Sequence, residues 1–184
     1  MIGPFVYALA IVLIAGVAHL ASILALPWLA RQDGFHRLDA VAQANRMVLL
    51  SDAEARAALP TGDPAMVAAV CRYVLEGGPV RVRILAGPTP TAIVVLRKGA
   101  GVFHSVSDKS ATQGVLEVVV ATADQMDDIT EQDTDDDPVQ EVRLTSPSET
   151  GIVLVRALVP LPSMRAEVEA ALGTATCEAE TLAK

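Results

Sequence analysis

The chain has 184 residues, enough for one domain with a sizeable core. It is 52% hydrophobic, only 3% aromatic, and carries a formal net charge of -8. No basic stripe of the kind nucleic-acid binding needs is present, and the composition also excludes collagen-like, coiled-coil and disulfide-dense classes. The charge is unevenly distributed. Residues 1–30 carry none, residues 31–118 hold 10 basic against 8 acidic groups, and the rest hold 4 against 14.

Residues 5–29 form an uncharged run of 25, longer than the roughly 20 that span a hydrocarbon core. Phe5 and Tyr7 near one end and Trp28 near the other suit the two interfaces. A signal peptide has a shorter apolar stretch and a charged leader, and Ala18-His19-Leu20-Ala21 is no clean cleavage site. The expectation is an uncleaved single-pass anchor over residues 1–30 in a lipid bilayer. A juxtamembrane helix and loop over 31–62 and an α+β domain over 63–184 should follow it. Arg31 and Arg37, read by the positive-inside rule, place that domain in the cytoplasm. Cys71 and Cys177, the only cysteines, suit an oxidising compartment as a pair, or are two buried reduced thiols. The residues by themselves leave both orientations open.

Inside the span, Ala15, Ala18, His19, Ser22 and Ala25 fall together at helical spacing, with Ala18/Ser22 and Ala21/Ala25 as small-xxx-small pairs. An ionisable side chain at this depth normally faces protein rather than lipid. This face is expected to meet a helix of a membrane-protein partner. The alternatives are an alanine-rich anchor without a partner, and His19 as a haem or pigment ligand.

Further along, residues 35–50 have helical periodicity, with Leu38, Val41, Ala42, Asn45, Val48 and Leu49 on one face. A loop is expected over 51–63, then a short helix over 64–71 opened by Asp63 and Pro64. Residues 73–75 and 80–85 read as a hairpin turned by Gly77-Gly78, and strands follow at 92–97, 102–106 and 115–121. Thr122 and Gln125 fit a capping box. The acidic stretch 124–141 holds nine carboxylates and no base, which predicts an exposed, mobile excursion over 127–137 without a metal. A final hairpin over 141–144 and 151–159 and a helix over 163–172, stopped by Gly173, complete an α+β fold with a mostly antiparallel sheet.

Little of this carries chemistry. Asp133, Asp135 and Asp137 open like an EF-hand loop, but Pro138 stands where glycine is needed and Leu144 where a bidentate glutamate belongs. His104, Ser105 and Asp108 are triad residue types without a nucleophile elbow or oxyanion loop. Three scattered histidines do not make a metal site, and Gly99-Ala100-Gly101 lacks the ending and helix of a phosphate loop. Arg81 and Arg83 share a strand face that should be solvated. No catalytic residue, metal ligand or cofactor is assigned, and no enzymatic activity is expected.

Several segments together resemble one family. These are Ala18-His19-Leu20 with the apolar run to Pro27, Cys71-Arg72-Tyr73 with Gly77-Gly78-Pro79-Val80, Phe103-His104-Ser105 through Asp108-Lys109, residues 116–120 before Thr122-Ala123-Asp124-Gln125, residues 151–157, and Cys177. The chain resembles the small bacterial membrane-anchored proteins of the domain of unknown function 1254 family, often encoded beside a related partner. It departs at residues 91–96, where the family tends to carry aromatics. The family has no established activity, so the resemblance implies an architecture and a location rather than a reaction. It implies an N-terminal anchor in the bacterial inner membrane with the domain in the periplasm, which suits a Cys71–Cys177 disulfide. The leading functional expectation is a non-enzymatic accessory or interaction protein, a subunit or assembly factor of a membrane complex. An extracytoplasmic binding module for a small ligand or cation is the alternative, and a hydrolase using His104 and Ser105 a third.

Overall fold

A computed structural model describes residues 3–60, 62–98, 101–133 and 140–181, with the backbone alone at 28–33. Proline at the first turn and an unbroken run of apolar helix formers start α1, which extends over Pro4–Asp39 with Pro27 inside it. The chain then runs through β1 (Val48–Leu49), α2 (Asp52–Ala58), β2 (Met66–Val74), β3 (Val80–Leu85), β4 (Thr91–Arg97) and β5 (Gly101–Ser107). After these come β6 (Val115–Ala121), α3 (Ala123–Glu131), β7 (Val142–Thr145), β8 (Thr150–Leu158), α4 (Arg165–Leu172) and β9 (Thr176–Ala179).

The strands build two sheets, ordered β1-β2-β8-β4-β5 and β7-β6-β3-β9. Every pairing is antiparallel except that of β6 with β7. The fold is therefore the expected α+β class, with its strands divided between two sheets. Their inner faces meet in one core. Val67, Ala69, Cys71 and Tyr73 of β2 and Val153 and Val155 of β8 face Val82, Ile84, Val118 and Val120 of the second sheet, and Val168 and Leu172 of α4 join them. Cys71 on β2 and Cys177 on β9 form a disulfide with their Cα atoms 6.5 Å apart, so the bridge stitches one sheet to the other through the core.

The outer face of the five-stranded sheet is covered as well. Ala68, Val70, Ile152 and Leu154 lie under Phe35 and Leu38 of α1 and Ala58 of α2. Both faces of β2 and β8 are thus buried, and their sequences read as continuous apolar runs rather than alternations. That double burial corrects the helix expected at 64–71, most of which is strand β2. Gly151 sits where the packing is closest. A Cβ there would lie 2.2 Å from the Tyr73 hydroxyl oxygen and 2.5 Å from the Leu96 carbonyl oxygen. Tyr73 itself shares a 3.0 Å hydrogen bond with the Ser146 hydroxyl inside the core.

Both hairpins that frame the sheets in the sequence reading are corrected. β2 and β3 belong to different sheets, so the Gly77-Gly78 segment carries the chain across the core instead of folding it back. Likewise β7 runs parallel to β6 in one sheet while β8 is central in the other. The helix expected over 35–50 ends at Asp39. Beyond it Asn45 takes a positive φ of 48° and seals the edge of β2, accepting from Val74 N–H at 2.8 Å and donating to the Val74 carbonyl at 3.1 Å. The loop expected over 51–63 contains α2, opened by a capping box between Ser51 and Glu54.

Candidate functional site

Two features have the character of working surfaces: the exposed part of α1, and a cleft where α2 meets the outer face of β8. Residues Pro4–Pro27 of α1 have a mean hydropathy of 2.5 and none of them is buried, so this one helix is long and apolar enough to cross a membrane. Ala15, Ala18, His19, Ser22 and Ala25 are all exposed and fall within an arc of about 120° at the 3.6-residue helical repeat. The Ser22 hydroxyl donates to the Ala18 carbonyl at 2.8 Å, which satisfies it within the helix. The far end of α1 is built into the domain. Leu38 is 2% exposed, Asp39 pairs with Arg72 at 3.3 Å, and the Arg37 Nε donates to the Ala58 carbonyl at 3.4 Å.

The cleft has a volume of about 350 Å³ and is lined by Asp52, Arg56, Leu59, Met66, Arg156 and Arg165, among others. Its rim is held by short-range bonds. Ser51 N–H and hydroxyl donate to the Glu54 carboxylate at 2.8 and 2.6 Å, which holds that carboxyl below its ordinary range. The turn after α2 is tight. Gly62 N–H donates to the Leu59 carbonyl at 2.8 Å, and a Cβ on Gly62 would stand 2.9 Å from that same oxygen. Asp63 Oδ1 accepts from Ala65 N–H at 2.8 Å, leading into β2.

The arginines in this cleft differ in their engagement. Arg165 is fully employed, donating to Asp52 at 3.0 Å, Glu169 at 3.1 Å and the Pro64 carbonyl at 2.9 Å. Arg156 projects from the middle of β8 between Ala68 and Ala92 of the flanking strands, whose small side chains leave room beside it. Its Nε is buried and has no hydrogen-bond partner among the described residues. Such a group costs about 1–3 kcal/mol when left unpaired, more when charged. Arg56 is exposed on α2 and makes no ion pair among the described residues.

The other sequence candidates lie elsewhere. His104 and Ser105 are adjacent on β5, so they project to opposite faces; both are exposed, and among the described residues no hydrogen bond joins them to each other or to Asp108. Arg81 is not merely solvated. It pairs with Glu117 and Glu180, while Arg83 lies exposed beside it. The acidic stretch finds its base outside itself. Arg143 of β7 donates to Asp133 at 2.5 and 2.6 Å and to Glu141 at 2.8 Å. The Arg143 bond holds the Asp133 carboxyl low, and for Glu141, where burial pushes upward, the same guanidinium keeps the carboxyl below its ordinary value. Asp127, Asp128 and Glu131, expected in a mobile excursion, are instead exposed positions of α3. Asp135, Asp137, Pro138, Gly99 and Ala100 lie outside the described residues, as do the side chains of Trp28 and Arg31. Among the described residues no three or more His, Cys, Asp or Glu side chains are grouped to hold a metal.

Sequence reasoning missed the cleft. Arg56, Arg156 and Arg165 come from three segments, and only the pairing of β2 with β8 and the docking of α2 bring them together. The readable signal was Ser51-x-x-Glu54, which marks α2 and hence one wall.

No family model matches the chain, and no curated protein does. Solved structures do. The VPA0106 protein from Vibrio parahaemolyticus is 10% identical with a TM-score of 0.53, over 77% of this chain and 31% of that one. An uncharacterized protein from Burkholderia cenocepacia is 15% identical with a TM-score of 0.49, over 68% of this chain and 36% of that one. What is shared with the Vibrio protein is the fold. The chain spans about a third of the length of the solved proteins it matches.

Proposed function

We propose that this protein is a non-enzymatic accessory or interaction protein of a bacterial inner-membrane complex, holding its two-sheet domain on the periplasmic side, and that it belongs with the domain of unknown function 1254 family. The observation that carries the reading is α1: an unburied apolar span whose last turn is part of the domain core. A helix built this way serves to fix a folded domain against a bilayer. The small-residue face with His19 and Ser22 offers close approach to a second helix. The disulfide supports the periplasmic side, because such bonds persist in oxidising compartments.

The test is purification of the tagged full-length protein in mild detergent, with identification of what accompanies it. A His19→Leu/Ser22→Leu variant keeps membrane insertion and loses the accompanying protein; a wild-type chain that purifies alone, or a variant that keeps its partner, defeats the reading. Alkylation of unreduced cells tests the side: two free thiols return the domain to the cytoplasm. A second reading, a small-ligand binding module, is favoured by one specific observation, the arginine-lined cleft.

A further inference from the structure

We propose that the cleft between α2 and β8 is a binding site for a small soluble organic anion, a carboxylate or phosphate ester carried on an apolar body. The proposal rests on the binding-module reading and names its ligand class.

The charges in the cleft decide the sign. Its two carboxylates are already used: Asp52 is paired with Arg165, and Asp63 caps the turn into β2. Arg56 and Arg156 remain unpaired among the described residues, in a chain whose net charge is -8. A cation would meet two uncompensated guanidinium groups there. Arg156 lines the cleft, is only part-buried and pairs with no carboxylate among the described residues, and a guanidinium takes carboxylate or phosphate in a two-pronged contact. Arg165, held by its three partners, also lines the cleft without competing for the ligand.

The remaining lining sets the rest of the molecule. Leu59, Met66 and Ala68 present an apolar wall that a bare hydrated ion would leave unused. A volume of about 350 Å³ is at the small end of ligand pockets. Distance from the bilayer favours a soluble source over a lipid headgroup. Arg37, which touches Ala58 of α2, follows Ala30, the last residue of the uncharged stretch 1–30, by seven residues, about 10 Å along a helix axis. The headgroup layer beyond the hydrocarbon is only about 5–8 Å deep.

The experiment uses the full chain in nanodiscs of zwitterionic lipid, titrated calorimetrically with phenyl phosphate, benzoate, benzylamine and benzyl alcohol. At least one of the two anions binds saturably at one site per chain. Arg156→Gln weakens it about tenfold or more, as loss of a charge-assisted contact requires. Arg56→Gln, an exposed change on α2, weakens it by a smaller factor and guards against misfolding of the first variant; Arg156→Lys recovers part of the loss, and Arg83→Gln on the other sheet changes nothing. Anions that bind with unchanged affinity in both the Arg156→Gln and Arg56→Gln variants overturn the site. Binding of benzylamine or benzyl alcohol alone overturns the ligand class and leaves the binding module standing; silence from all four probes removes both. Displacement of phenyl phosphate by anionic lipid in the disc makes the ligand a headgroup and defeats the soluble-anion proposal.

Discussion

Replacing both cysteines with alanine should lower stability by about 3–5 kcal/mol. The bridge closes a loop of 106 positions. In the chain-entropy treatment that constraint removes about 16 cal/mol/K from the unfolded chain, about 4.8 kcal/mol at 25 °C, with native strain and residual unfolded structure pulling the figure down. Alanine is the right replacement because Cys71 and Cys177 are 0% and 1% exposed, and serine would bury a hydroxyl at each site. The four-residue pairing of β9 with β3 survives in the variant, so the fold should persist with weaker attachment between the sheets. At about 2–4 °C per kcal/mol for a protein of this size, the thermal midpoint should fall by about 6–20 °C. The assay is thermal and denaturant unfolding of the full chain in neutral nanodiscs, followed by circular dichroism, with and without reductant. Reductant should bring the wild type down to the variant and leave the variant where it was. A variant within about 1 kcal/mol of the oxidised wild type would show that the sheets do not depend on the bridge.

Gly151→Ala should destabilise by about 3 kcal/mol or more, since the new Cβ overlaps Tyr73 and the Leu96 carbonyl; a melting curve like the wild type's would contradict that packing. Leu38→Ala should cost about 2–5 kcal/mol and loosen α1 from the domain, read as faster hydrogen exchange in α2 and the β8 outer face. Asp133 and Glu141 have folded-state carboxyls held low by Arg143. Their contribution is therefore present above the unfolded carboxylate range and is lost as pH falls through the lower folded values, below about pH 4. Arg143→Gln should accordingly be less stable than wild type at pH 7, with the gap closing on acidification; a gap that widens toward acid would reverse the assignment.

The parts of the fold that were legible are those in which local pattern and tertiary environment agree. The uncharged run of α1 and the Thr122/Gln125 box of α3 are as read, and the β4–β5 pair lies where its strands were expected, with a bulge near Val95. β2 and β8 were harder, because a strand buried on both faces has no alternation and resembles a short buried helix. Sheet membership was not legible at all. Gly77-Gly78 permits either a hairpin or a crossing, and the choice is made by what packs beneath it. Asn45 looked like one more position on a helical face, yet its side chain is committed to Val74. The cleft depends on residues about a hundred positions apart, so no local signal announces it.

The docking of Phe35, Leu38 and Asp39 gives α1 a consequence beyond attachment. A helix embedded in its domain at one end cannot swivel like a tether on a flexible linker; it behaves as a keyed shaft. Whichever side of α1 meets a neighbour therefore sets the compass bearing of the sheets and the direction in which the α2 cleft opens. One residue added between Pro27 and Phe35 would turn that bearing by about 100° and lift the domain by about 1.5 Å. The spacing of this segment thus carries directional information that its side chains alone do not.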